Sequence, residues 1–137
     1  MIMRTKIGII GSRVFTDKRR IKDFIFKIKD KYKNEVEIVS GGQPQGADGF
    51  AKKYALEFDM KYVEFPPSHY NWNMHCKLPA TKYNKPYYVS NFFKRNKQLA
   101  DYCDIIVAFM PNGQETSGTM HTVKYAQKKK KLVKIIN

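Results

Sequence analysis

Val36-Glu37-Ile38-Val39-Ser40-Gly41-Gly42-Gln43-Pro44-Gln45-Gly46-Ala47-Asp48 reads as a strand, a glycine-rich turn and the opening of a helix. Val36, Ile38 and Val39 form a short apolar run suited to a buried strand, and the run stops at Gly41-Gly42. A helix is expected to start near Gln45 to Ala47, since Ala47, Phe50, Ala51, Tyr54, Ala55 and Phe58 then recur at helical spacing. The same order recurs on both sides of this stretch. Upstream, Lys6 to Ile10 is a strand ending at Gly11. Asp17 is the expected N-cap of a helix with Ile21, Phe24, Ile25, Ile28 and Tyr32 on its buried face, and Asn34 breaks it. Downstream, Tyr62 to Phe65 is a third strand, stopped by Pro66-Pro67. A short helix is expected around Asn91 to Tyr102, then a strongly apolar strand, Asp104 to Met110. The loop Pro111 to Gly118 leads into a helix from Thr119 to about Lys130, and Leu132 to Ile136 is the last strand. Strands alternating with helices predict an α/β fold, with a five-stranded, mainly parallel sheet covered by helices on both faces.

Open sheets of this kind bind ligands outside the carboxyl ends of their strands, at a topological switch point. The small-residue clusters of this chain fall at such ends: Gly11-Ser12, Gly41-Gly42 and Gly113 to Gly118. Gly11-Ser12-Arg13 offers close backbone approach, a hydroxyl and a guanidinium that forks onto phosphate or carboxylate; the competing reading is a tight turn with a solvated arginine. In the second cluster Gly41, Gly42 and Gly46 precede a helix whose first turn has free backbone N–H groups and a positive dipole end, an expected anion site. Asp48 either caps that helix or holds a sugar hydroxyl. No Gly-Lys-Ser/Thr follows, so the turn is not a P-loop. Ser117, Gly118 and Thr119 repeat the arrangement after the fourth strand, with capping and turn roles as the alternative. Arg95-Asn96 on the preceding helix adds a charge-assisted contact.

The 137 residues suit one domain over 1–137, with a long aromatic and proline-rich loop at about 66–90. That loop carries Pro66, Pro67, Pro79, Pro86, Tyr70, Trp72, Tyr83, Tyr87 and Tyr88 without a clear period, and loops of this length tend to be functional. Trp72 either flanks the ligand, stacking on a base, or packs the loop onto the domain. The excess of 26 Lys+Arg over 12 Asp+Glu gives a net charge of +14. Such a surface suits a polyanion or an anionic ligand, or serves solubility alone. Aromatic and aliphatic content excludes disorder, and no apolar run approaches the roughly 20 residues of a membrane span. Cys76 and Cys103 are too few and too far apart for a disulfide framework, which points to a reducing cytosol. His69, His75 and Cys76 lack a visible fourth ligand and a rigid frame, so no metal is expected.

Taken together, Gly-Ser-Arg-x-Phe-Thr-Asp, Ser-Gly-Gly-x-x-x-Gly-Ala-Asp, Arg-Asn-Lys-Gln-Leu-Ala-Asp-Tyr and Ser-Gly-Thr resemble the SLOG superfamily, nearest its small YspA-type branch. The resemblance runs from Lys6 to Ile136. It implies a Rossmann-like three-layer domain that binds a nucleotide or nucleotide-derived, phosphate-bearing ligand. On that reading Gly11, Ser12, Arg13, Gly41, Gly42, Gly46, Asp48, Trp72, Arg95, Asn96, Ser117, Gly118 and Thr119 line the cradle. Arg13 and Arg95 would neutralise phosphate, and Asp48 would read a ribose hydroxyl. No further cofactor is implied. The phosphoribohydrolases of the superfamily carry Pro-Gly-Gly-x-Gly-Thr-x-x-Glu with a catalytic final glutamate. Here Thr122 stands at that place and cannot do a carboxylate's acid/base work, which leaves Glu115 as the one weak candidate for catalysis. Phe92-Phe93-Lys94-Arg95-Asn96 and Ser117-Gly118-Thr119-Met120-His121-Thr122 are also similar to segments of DprA. That similarity makes single-stranded DNA, bound by stacking, the alternative partner. Related domains pair through helices, so a second copy of the chain is a further candidate partner.

Overall fold

The computed structural model describes residues 4–111 and 116–137. Ten elements follow in the order β1 (Thr5–Gly11), α1 (Lys18–Tyr32), β2 (Val36–Ser40), α2 (Gly46–Glu57), β3 (Lys61–Glu64), a 3-10 turn (Ala80–Lys82), α3 (Ser90–Tyr102), β4 (Ile105–Phe109), α4 (Ser117–Lys128) and β5 (Leu132–Ile136). The sheet order is β3-β2-β1-β4-β5, and every neighbouring pair is parallel. The "mainly parallel" expectation sharpens to an all-parallel sheet with its switch point between β1 and β4.

Strand alternation sorts the core into two layers. Ile7, Ile9, Val36, Ile38, Val107 and Phe109 face α1 and α2, where they meet Ile21, Ile25, Ala47, Ala51 and Tyr54. Ile10, Val39, Val63, Ile106 and Ala108 face α3 and α4, against Leu99, Ala100, Val123 and Ala126. The result is a three-layer, Rossmann-like α/β domain. Asp17 caps α1 as expected, its carboxylate accepting from the Arg20 N–H at 3.3 Å.

The aperiodic stretch after β3 is tightly fixed. His75 O accepts from Glu64 N at 2.9 Å and Lys77 N donates to Glu64 O at 3.1 Å, which makes Cys76 a one-residue parallel partner of Glu64. Asn84 N to Tyr70 O at 2.9 Å and Lys85 N to Ser68 O at 3.0 Å close the loop on itself, and Tyr83 is buried beneath it. An edge strand with bare N–H and C=O groups invites stray pairing, and this segment covers β3. Among the described residues no such cover lies on β5, whose Leu132 is 65% exposed.

Candidate functional site

A cavity of about 440 Å³ opens at the switch point, over the carboxyl ends of β1 and β2 and between α3 and the start of α4. The crossovers from β1 and β4 leave in opposite directions there, so their loops part and leave a crevice. Of the thirteen residues expected at the site, ten line it: Gly11, Ser12, Arg13, Gly41, Asp48, Arg95, Asn96, Ser117, Gly118 and Thr119. Gly42 turns to a second cavity instead. Gly46 is buried against the β1–α1 loop, and Trp72 is 49% exposed and belongs to neither cavity. Trp72's neighbours are tied down elsewhere, Tyr70 Oη donating to Gln43 Oε1 at 3.1 Å and Asn73 Nδ2 to Glu64 Oε2 at 3.0 Å. Glu115 lies outside the described residues.

The two helix N-termini expected to hold an anion differ in what reaches them. At α2, the Ala47 N–H donates to the Ser12 carbonyl at 3.3 Å. Gly46 adopts φ +68°, and a Cβ there would run into the backbone of Ser12 and Arg13. The β1–α1 loop is thus seated on the first turn of α2 and takes up one of its donors, the Ala47 N–H, so the α2 start is covered on that side. At α4, Thr116 is the N-cap; its hydroxyl accepts from Thr119 N at 3.2 Å, and Met120 N bonds to Thr116 O at 2.9 Å. The N–H groups of Ser117 and Gly118 have no partner among the described residues, as a first helical turn leaves them. A Cβ built on Gly118 meets nothing within 4 Å. No described residue covers this helix start at Gly118.

Arg95 is held by the protein. Its Nη1 donates to Gly41 O at 2.6 Å and to Phe65 O at 3.4 Å, and its Nε donates to Asn96 Oδ1 at 3.0 Å. Burial lowers the pKa of this guanidinium, while the nearby Asp48 carboxylate acts to raise it. Asp48 answers in kind: burial pushes its carboxyl up to about 6, against the pull of Arg95 and of the Gln43 and Gly41 N–H groups. Through Gly41 O, Arg95 fixes the β2–α2 loop to α3, and Asp48 Oδ2 accepts from Gln43 N at 3.4 Å within that loop. Asn96 continues the frame, its Nδ2 lying 3.4 Å from Gly118 O and 3.3 Å from His121 Nδ1. Arg13, by contrast, is exposed at the cavity rim and makes no hydrogen bond or ion pair with a described residue.

The cavity has an apolar wall that the motif reading passed over. Val89, Phe92, Phe93 and Leu99 line it from α3 and its N-cap, with Ile10 from β1. Their signal lay in the sequence: Val89, Phe92, Phe93 and Asn96 are spaced at i, i+3, i+4 and i+7, one stripe of a helix. Thr122, at the place of the phosphoribohydrolase glutamate, also lines the cavity, but its hydroxyl donates to Gly118 O at 3.2 Å. Among the described residues no three His, Cys, Asp or Glu side chains gather as a metal site. His69 packs among Tyr70, Tyr87 and Phe92, and His75 against Tyr62.

Comparison with known proteins places the chain. Residues 5–75 match the model of the YspA, cpYpsA-related SLOG family. No curated protein sequence matches. Among solved structures, a molybdenum cofactor binding protein from the phototrophic bacterium Rippkaea orientalis superposes with a TM-score of 0.72 at 18% identity, over 98% of this chain and 77% of that one. The molybdenum cofactor carrier protein of Chlamydomonas reinhardtii gives a TM-score of 0.67 at 19% identity, over 96% and 76%. These two likenesses are of fold.

Proposed function

The chain belongs to the YspA, cpYpsA-related SLOG family, and from that premise and the cavity we propose that it binds a phosphate-bearing ligand of the nucleotide class. One observation carries the reading: a single cavity joins the N-terminus of α4 and Arg13, neither of them partnered by a described residue, to the apolar wall of Val89, Phe92 and Phe93. Backbone N–H groups at a helix start, with the dipole behind them, attract phosphate, and a guanidinium adds charge and direction. The wall of α3 suits a flat ring, whose face buries against aromatic side chains. About 440 Å³ falls within the usual size of a small-molecule site. The reading gives Arg13 the mobile phosphate contact, and gives Arg95 and Asp48 the task of holding the loop that shapes the cavity. The molybdenum cofactor named for the structural neighbours belongs among the ligands to try.

The proposal is one of binding, carried by the phosphate contacts and the apolar wall. Thermal-shift measurements with AMP, GTP, NAD, ADP-ribose, the molybdenum cofactor and a short single-stranded DNA, each at low and moderate salt, test it. A ligand at a hundredfold its Kd adds about 2.7 kcal/mol, enough to move Tm by several degrees. The expected result is a salt-resistant shift with one small ligand. In calorimetry Arg13→Ala then weakens that ligand about ten- to a hundredfold, the range for one charge-assisted hydrogen bond. A shift with DNA alone that fades as salt rises overturns the proposal in favour of a polyanion-binding surface.

A further inference from the structure

A second cavity, of about 540 Å³, lies against the same β2–α2 loop. Gln43 lines both cavities; Gly41 and Asp48 belong to the first, Gly42 and Pro44 to the second. The loop is thus a low ridge with a cavity on either side. Its position is set by contact: Gly42 sits at φ +78°, and a Cβ there would meet Glu64 Oε2 at 2.6 Å.

The second cavity has its own polar furniture. Glu64, at the carboxyl end of β3, is 2% exposed. Its Oε1 lies 3.0 Å from Lys52 Nζ yet has no partner in hydrogen-bonding geometry, and its Oε2 accepts from Asn73. Burying a carboxylate without full hydrogen bonding is costly, so its neighbours are expected to matter. Lys52 neutralises Glu64, which leaves Lys53 as the excess positive charge of the lining, to which Asn71 adds an amide. Pro44, Leu56 and Pro66 give an apolar side. A charged head, an amide edge and an apolar wall recur here as they do in the first cavity.

Building on the nucleotide-class reading above, we infer that the ligand is two-lobed: a dinucleotide-type molecule whose two halves, joined through phosphates, straddle the Gln43 ridge and occupy both cavities. One half sits against the α3 wall and the other against Lys53 and Asn71, with the linking phosphates near the ridge. A mononucleotide fills the first cavity alone and leaves the second unused.

The test compares matched probes on the intact chain by calorimetry: AMP against NAD and diadenosine diphosphate, and GMP against diguanosine diphosphate. At least one pyrophosphate-linked probe is expected to bind ten or more times tighter than its mononucleotide. Lys53→Ala with Asn71→Ala is expected to erase that advantage while leaving mononucleotide affinity and Tm unchanged, since both side chains are on the surface. Equal affinity for matched probes, or an advantage that survives the double substitution, overturns the two-lobed ligand and leaves the single-cavity reading standing. A panel in which no nucleotide binds overturns both.

Discussion

The starts of α2 and α4 read almost alike in sequence, glycines and small polar residues running from a strand into a helix, yet they are opposite in structure. At α2 the backbone of Ser12 and Arg13 rests on Gly46, and a loop carbonyl occupies the Ala47 N–H. At α4 the cap is the adjoining Thr116, and among the described residues a Cβ on Gly118 meets nothing and the N–H groups of Ser117 and Gly118, which line the cavity, have no partner. A glycine before a helix can serve close packing or ligand approach. Spacing along the chain does not distinguish them; what lies across from the glycine does.

The largest expected effect breaks the closed terminus. Gly46→Ala puts a Cβ into backbone at a positive φ, and should cost about 3 kcal/mol or more in urea unfolding. Gly118→Ala, made in open space, should hold stability within about 1 kcal/mol of the parent while weakening ligand. Equal losses at the two glycines would erase the distinction between the termini.

Asp48 comes next, because it is buried on the closed side, where its carboxylate accepts from Gln43 N in the loop that Arg95 holds. Its carboxyl stands at about 6 in the fold against 3.8 as the ordinary value. A folded pKa above the unfolded one contributes stability that is full below about pH 4 and lost as pH rises through about 6. Asp48→Asn lacks that titration. The parent should therefore lose on the order of 2–3 kcal/mol relative to the variant between pH 4 and pH 7, read from denaturation curves at both. Parallel pH profiles would show that Asp48 does not titrate in this window.

Thr116→Ala sharpens the open side. It removes the α4 cap, which is worth about 1 kcal/mol, and releases a third N–H at a site that should then bind its ligand less selectively among anions. Calorimetry with phosphate and with the best nucleotide, on parent and variant, reads that change.

Much of the fold was legible because burial leaves a periodic trace. Ile21, Ile25 and Tyr32 on α1, and Ala47, Ala51 and Tyr54 on α2, declare their faces by spacing, and Asp17 declares its cap by chemistry. The loop 66–90 left no trace of this kind. Its order comes from single contacts, such as Glu64 with His75 and Lys77, that join residues without a repeat. For the same reason Trp72 kept two readings, beside a ligand or packing the loop, while the α3 stripe of Val89, Phe92 and Phe93 stayed hidden behind Arg95-Asn96.

By itself, then, the amino-acid sequence determined which segments are strands and helices, which faces they bury, and that the small residues gather at the carboxyl ends of strands, since each follows from local periodicity and backbone sterics. Tertiary structure alone decided which helix start the β1–α1 loop covers, that Arg95 is clamped while Arg13 has no partner among the described residues, and that the β2–α2 loop stands between two cavities. Those outcomes depend on which surfaces distant segments press together, as Ser12 does on Gly46 and Glu64 on Gly42, and no local pattern encodes that.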